Sequence, residues 1–326
     1  MILAGDIGGT NTRLAVFDEA SPVLELKLID VFPSAEHAGL EEIAVAYVEK
    51  HNLTLTNASF GIAGPVRNGV CETPNLPWIV RCTDVAKRLG LPAVRLLNDL
   101  QANAYGIAEL GDKDFTVLSE GTPGQQGNYG LISAGTGLGE AGLLLEHGRH
   151  RPFASEGGHA DFAPRNDIEI ELLRYLLPRF GHVSYERVLS GPGLHNIYNF
   201  LRDTGRAEEP AWLKDQLANG DASATIGKIG LRGTAEICAQ ALTIFASVFG
   251  AEAGNLALKI MAMGGLYVGG GIGPKILPKL CEAGFMDAFW NKGRIGSLLR
   301  SIPVRVITND QTALLGAARV GLSGFE

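Results

Sequence analysis

Ile2-Leu3-Ala4-Gly5-Asp6-Ile7-Gly8-Gly9-Thr10-Asn11-Thr12-Arg13-Leu14-Ala15-Val16-Phe17 is the stretch that decides the fold. Apolar Ile2-Leu3-Ala4 and Arg13 to Phe17 read as two strands, with Asp6 to Asn11 as the tight turn between them. The same plan recurs at Tyr129 to Glu146: apolar Leu131-Ile132, the turn Ala134-Gly135-Thr136-Gly137-Leu138-Gly139, then apolar Ala141 to Leu145. Two strand–glycine-turn–strand units in one chain suggest a duplicated, two-lobed architecture with one such turn per lobe.

Between and beyond these units the pattern is mixed. A third strand is expected at Leu24 to Val31, and an amphipathic helix from Leu40 to His51. Ala58 to Ala63 reads as a short buried strand ending at Gly64-Pro65. Val94 to Leu97 is another strand, followed by Asn98-Asp99 and a helix from Leu100 to Glu109. The turn-rich Gly121 to Asn128 reads as a loop near a lobe boundary. Helical periodicity covers Ile168 to Phe180 and Thr234 to Ala262, the latter long enough for one kinked helix or two. Leu266-Tyr267-Val268 is a strand running into Gly269-Gly270-Gly271-Ile272. Val304 to Ile307 is the last strand and Thr312 to Leu322 the last helix. Strands alternating with helices give an α/β class.

Composition narrows the partners. The 326 residues include 43 glycines, about twice the usual share of about 7%, with no collagen-like period. Only 19% are charged and 46% hydrophobic, which excludes disorder and leaves ample material for a core. The formal charge of −7, without a basic run, argues against nucleic acid. Cys71, Cys82, Cys238 and Cys281 form neither a Cys-x-x-Cys pair nor a disulfide framework, so reduced thiols are expected. No signal-peptide pattern opens the chain, and Ile237 to Ala251 and Ile260 to Pro274 fall short of the 18 or so apolar residues of a membrane span. A soluble cytoplasmic protein without membrane partners is the expectation.

The glycine clusters locate the chemistry. No Walker A loop occurs, and Gly137-Leu-Gly139-Glu-Ala-Gly142 runs into a strand, where a dinucleotide site needs a helix. In Asp6-x-Gly8-Gly9-Thr10 the aspartate at a strand end suits a hydrated Mg²⁺, and the glycines expose backbone N–H groups to phosphate. Thr10 and Asn11 add short polar contacts. An ordinary hairpin turn is the alternative. Gly135-Thr136-Gly137 would grip the same phosphate chain from the other lobe. Asn98-Asp99 lies where α/β sheets place ligands, so its carboxylate suits a general base; on position alone, an N-cap role for Asp99 is favoured. Glu156-Gly157-Gly158-His159-x-Asp161 suits polyol binding better than metal. Glu186 looks like an ordinary exposed acid, and His182 and Arg187 receive no role.

Taken together, these segments resemble the bacterial glucokinases. The resemblance is carried by Asp6 to Leu14, Leu97 to Asp99, Ala134 to Gly139, Glu156 to Pro164 and Gly181 to Gly193. It continues through Gly254 to Leu258, Gly269 to Ile272 and Leu314 to Gly316, in order over nearly the whole chain. It implies the two-lobed fold shared by hexokinases, actin and the heat-shock ATPases, a ribonuclease H-like α/β arrangement around a nucleotide and sugar cleft. Residues 1–109 with 301–326 would form the smaller α/β lobe, and 110–300 the larger α+β lobe. The implied reaction is ATP-dependent phosphorylation of D-glucose at its 6-hydroxyl, giving glucose 6-phosphate and ADP, the first step of glycolysis. By resemblance, Asn98 and Asp99 contact the sugar, with Asp99 as base, and Glu156, His159 and Glu186 hold the other hydroxyls. Asp6, Gly8, Gly9, Thr10, Asn11, Gly135, Thr136 and Gly137 surround Mg²⁺ and the ATP phosphates, Asp6 reaching the metal through water. Gly270 and Gly271 lie nearer the adenosine. A homodimer is compatible with the resemblance. The cysteine-rich zinc motif of the ROK sugar kinases is absent from the sequence, which places the chain with the non-zinc glucokinases. A non-catalytic, actin-like binding protein is the alternative, and the complete Asn98-Asp99 and Glu156/His159/Glu186 set argues against it.

Overall fold

The computed structural model describes residues 1–18 and 24–323. They divide into two compact units: 1–18 and 24–114 with 152–154 and 309–323, and 115–151 with 155–308. The first is built on a five-stranded sheet. Strands β1 (Ile2–Ile7) and β2 (Asn11–Asp18) form the opening hairpin, and β3 (Glu25–Pro33) pairs antiparallel with β2. Helix α1 (Leu40–Lys50) leads to β4 (Asn57–Ile62), which lies parallel to β1. A small antiparallel sheet of β5 (Val66–Arg67), β6 (Val70–Glu72) and β7 (Ile79–Arg81) follows. Helix α2 (Cys82–Leu89), β8 (Arg95–Asn98) and α3 (Asp99–Gly106) complete this part. The sheet order is β3-β2-β1-β4-β8. Leu3, Leu14, Phe60 and Ile62 from its strands, with Ile43 and Tyr47 from α1, form a closed apolar core.

The second unit repeats that order. Strand β9 (Phe115–Ser119) precedes β10 (Tyr129–Ala134) and β11 (Leu138–Glu146), the second glycine hairpin, and β12 (Arg149–Ser155) follows. After a helical stretch, β13 (Gly265–Gly269) lies parallel to β10, and β14 (Val304–Ile307) parallel to β13. The order is β12-β11-β10-β13-β14-β9, so its first five strands match the first sheet one for one. The helices are α4 (Asp167–Phe180), α5 (Gly191–Asp203), α6 (Ala211–Ala218), α7 (Ala222–Arg232) and α8 (Glu236–Ile260). Short α9 (Leu277–Leu280), α10 (Ala283–Trp290) and α11 (Gly296–Arg300) follow β13. Phe200, Leu242, Phe245, Phe249 and Phe285 dominate the core they enclose.

Two expectations change here. The apolar stretch at Ile237 is part of one 25-residue helix, long and apolar enough to cross a membrane; 78% of its most apolar 18-residue window is buried. Such burial makes α8 the core helix of its unit, since a helix apolar all round must be covered. The return of the chain also begins later than residue 301. Val304 and Val306 are fully buried in the second unit's sheet, so β14 stays there. The return is made by residues 309 onward; residues 324–326 lie outside the described residues.

The returning helix, α12 (Thr312–Leu322), packs on the first unit. Two glycines permit its close approach to α3: a Cβ at Gly106 would fall on the Thr312 carbonyl oxygen, and one at Gly316 on that of Ala102. Arg319 clamps Glu109 with Nε and Nη2 both at 2.6 Å. A bidentate, partly buried pair of this kind is the stronger form of ion pair.

Candidate active site

In the first unit the marked residues gather at the carboxyl ends of parallel strands. Register places Ile7 beside Ile62 and Ile62 beside Asn98, so β1, β4 and β8 end together. Ligands of α/β sheets bind at that edge. The turn after β1 closes with Gly8 N donating to Asn11 O at 2.9 Å. Ser34 braces it: its hydroxyl donates to Gly8 O at 2.8 Å, and its backbone N to Thr10 O at 2.9 Å. Thr10 and Asn11 are exposed at the tip. A hollow of about 180 Å³ beside the turn is lined by Ile7, Gly8, Gly9, Ala63, Thr73, Asn75 and Leu76.

Asp6 is not free. Arg13, its cross-strand neighbour, donates to Asp6 Oδ2 from Nη2 at 2.6 Å and from Nε at 3.1 Å. Arg13 also reaches Asp310 Oδ2 at 3.4 Å. One Asp6 oxygen is therefore committed to the guanidinium and the other is left for solvent or a hydrated cation. No group of three metal-ligating side chains occurs among the described residues. The donor set suits Mg²⁺, which keeps several waters and is carried mainly by substrate phosphates.

The N-cap reading of Asp99 is corrected. Asn98 is the cap of α3: its Oδ1 accepts from Leu100 N at 2.9 Å, and Gln101 Oε1 accepts from Asn98 N at 3.3 Å. Asn98 Nδ2 also donates to Gly64 O at 3.1 Å. Asp99 is the first helical residue; its Oδ1 accepts from the adjacent Leu100 N at 3.0 Å, and the Asn98 side chain also hydrogen-bonds its carboxylate. Burial first, and the neighbouring negative charge of Asp6 in addition, push its carboxyl up to about 6 against the Leu100 hydrogen bond. Gly61 makes room for this helix start, because a Cβ there would press on Ala102.

In the second unit the glycine turns also meet. Gly135 N donates to Gly137 O at 2.8 Å, while Gly135 O accepts from Gly191 N at the start of α5 at 2.8 Å. Thr136 is exposed at the tip. Gly270 has φ +80°, and a Cβ there would strike the Ala134 backbone; Ile272 N donates to Ala134 O at 3.0 Å. The Gly269–Gly271 turn thus leans on the end of β10, beside the Gly135 turn.

Glu156, His159 and Glu186 come together in this unit. His159 Nε2 lies 3.9 Å from Glu156 Oε2, and its Nδ1 4.0 Å from Glu186 Oε1. Backbone ties hold the two segments in place: Tyr185 N donates to Ala160 O and Phe162 N to Val183 O. Glu186 is more than an exposed acid, since its Oε2 accepts from Leu138 N at 3.0 Å and packs on Gly137. It connects the imidazole to the glycine turn. His182 pairs with Asp161 at 2.8 Å, and Arg187 stacks 4.4 Å from the Phe180 ring centre, so both are engaged in fixing the loop.

Arg13, Ser34 and the first turn of α5 were not expected. Arg13 was legible in principle: a hairpin turning at residues 8–11 sets 6 opposite 13. Ser34 comes from a distant segment and left no such signal.

The Glucokinase family profile matches residues 3–323. A glucokinase of Nostoc punctiforme is 41% identical over 333 residues, covering 98% of this chain and 98% of that protein. The crystal structure of a glucokinase from an Antarctic psychrotroph superposes with a TM-score of 0.84 at 31% identity, over 97% of each chain. A ROK-family glucokinase from Streptomyces griseus, in complex with glucose and AMPPNP, gives 0.68 at 21% identity over 99% of each chain, a likeness of fold. A two-lobed, actin-like ATPase architecture and two glycine hairpins in register are thus joined to sequence identity over nearly the full length, and the chain belongs to the glucokinase family.

Proposed function

We propose a division of labour for the reaction that family membership gives this chain, the ATP-dependent phosphorylation of glucose. Asp99 takes the proton of the 6-hydroxyl as that oxygen attacks the γ-phosphorus, the bond to the β–γ bridging oxygen breaks, and ADP leaves. Asn98 orients a neighbouring hydroxyl, and Glu156, His159 and Glu186 accept from or donate to the others. The amides of the Gly8–Gly9 and Gly135–Gly137 turns, with Thr10, Asn11 and Thr136, hold phosphate oxygens. Gly270 and Gly271 lie by the adenosine. Asp6 would help hold Mg²⁺ brought in with ATP, and the ion would neutralise phosphate charge. Phosphoryl transfer of this kind is mostly positioning and charge stabilisation. A cytoplasmic setting fits the reading.

The observation that carries it is the pairing of Asn98 as cap with Asp99 as a part-buried carboxylate raised by its surroundings. A base raised to about 6 is still mostly ionised at neutral pH, and closer in strength to its task than an ordinary aspartate. Asp99→Asn is the test: kcat should fall by about 10²-fold or more, with glucose binding weakened far less. Near-parent turnover would remove Asp99 from the role. The AMPPNP and glucose held by the Streptomyces griseus neighbour support the same pair of substrates here.

A further inference from the structure

Glu140 has no part in the reaction as assigned above. It lies on β11, only 1% exposed, directly under the Glu156–His159 turn. Its Oε2 packs against Gly157, where a Cβ would fall on it, and its Oε1 has no hydrogen-bond partner among the described residues. Ser155 Oγ closes the same turn by accepting from Gly157 N at 3.0 Å. On its inner side Glu140 faces Glu252 of α8, which is fully buried. Of the two, Glu252 has the donors: Asn255 Nδ2 at 2.7 Å on Oε2 and Lys259 Nζ at 3.2 Å on Oε1. Two buried carboxyls side by side do not both ionise, and the negative charge settles where donors already wait. The proton therefore belongs to Glu140.

We propose that Glu140 is a positioning residue for sugar binding: a neutral acid beside Glu252, it forms the uncharged floor on which Gly157, and with it Glu156 and His159, is seated. The proposal rests on the reading of Glu156 and His159 as sugar contacts. Ionising Glu140 puts a second negative charge beneath the turn, without a donor, and displaces it. Burial first, and Glu252 next, push Glu140 up to about 8, so the change falls in mildly alkaline solution. The other groups facing the pair are Lys259 on α8 and the Tyr185 phenol, which Asn255 also meets at 3.0 Å. Lys292, reaching Asn255 Oδ1 from beyond α10, is lowered by burial to about 8 and titrates in the same range.

The experiment measures kcat, glucose KM and ATP KM from about pH 6.5 to about pH 9.5 for the full chain and for Glu140→Gln. Glucose KM of the parent should rise about threefold or more above about pH 8, while ATP KM and kcat stay nearly level; in Glu140→Gln the rise should vanish. A rise retained in Glu140→Gln assigns it to Lys292 or elsewhere and overturns the proposal, as does a rise confined to ATP KM. Should that variant not fold, infrared difference spectra of the parent decide. A protonated-carboxyl band present at neutral pH and lost on alkalinisation supports the neutral acid, and its absence at neutral pH overturns it. Glu156→Gln separates the two levels of inference. If it leaves glucose KM unchanged, the sugar assignment fails and the positioning role with it; if Glu140→Gln alone fails, only the role of Glu140 is lost.

Discussion

At the scale of single residues, the chemistry turns on which side chains are already occupied. Asn98 spends its oxygen on the α3 cap, and the Asp99 carboxylate beside it shares the Leu100 amide. From sequence the cap went to Asp99, which directly precedes the expected helix start, because Asn and Asp cap helices about equally well. Only the helix boundary, one residue earlier than expected, identifies Asn98 as the cap. The raised Asp99 carboxyl carries a pH signature. Protonation disables a base, so kcat/KM should fall about tenfold per unit as pH drops below about 6, and Asp99→Asn should abolish that limb along with most of the rate. An acid limb centred near 4 would mean that an ordinary exposed carboxylate controls the rate. Glu156→Gln belongs to the same scale. It removes an acceptor from a largely exposed carboxylate, so glucose KM should rise with kcat much less affected; a change in ATP KM alone would contradict the site map. Glu140 was hidden for a different reason. A glutamate inside a strand normally faces water, and nothing nearby in sequence announces that its partner is Glu252, more than a hundred positions on.

At the scale of elements, both glycine hairpins were readable because a strand, a tight turn and a strand are local events. The register then follows, down to Asp6 opposite Arg13. Helix α8 was less readable: its apolar run lacks a polar face, so periodicity did not separate one helix from two, and its burial depends on other helices, among them α5, α7 and α10, and on a sheet. The terminal helix shows how little a motif says without its partner. Gly316 looked like one small residue in a family pattern, yet it is the point where α12 meets the Ala102 carbonyl of α3. Gly316→Val should destabilise the chain by about 1–3 kcal/mol or more, since overpacking against backbone leaves few ways to yield. Thermal unfolding would register this as a clear fall in Tm. Gly284→Ala in α10 is the control: it has open space around it and no positive φ, so it should be neutral or stabilise by about 0.4–1 kcal/mol. Equal losses in the two variants would show that the α3–α12 approach is not tight.

At the scale of the whole molecule, the same five-strand order serves twice, each time with a glycine hairpin at its centre and parallel strands ending beside it. Each unit keeps its own apolar core, and the sugar contacts we propose fall in both: Asn98 and Asp99 in the first, Glu156, His159 and Glu186 in the second. That division makes the assignment testable without any mutation. A ligand held only by the first unit stabilises that unit, because linkage acts on whatever opens when the ligand leaves. A ligand held by residues of both must slow the opening of both. Glucose at about 100 times its Kd contributes about 2.7 kcal/mol to the state that binds it. Amide exchange with and without glucose should therefore slow at the end of β8 and the start of α3, and also across Ser155 to Ala160 and Tyr185 to Val188. The exposed surface of α6, remote in sequence from every assigned contact, is the internal reference. Protection confined to the β8–α3 junction would strike Glu156, His159 and Glu186 from the sugar set and, with them, the seat proposed for Gly157 on Glu140.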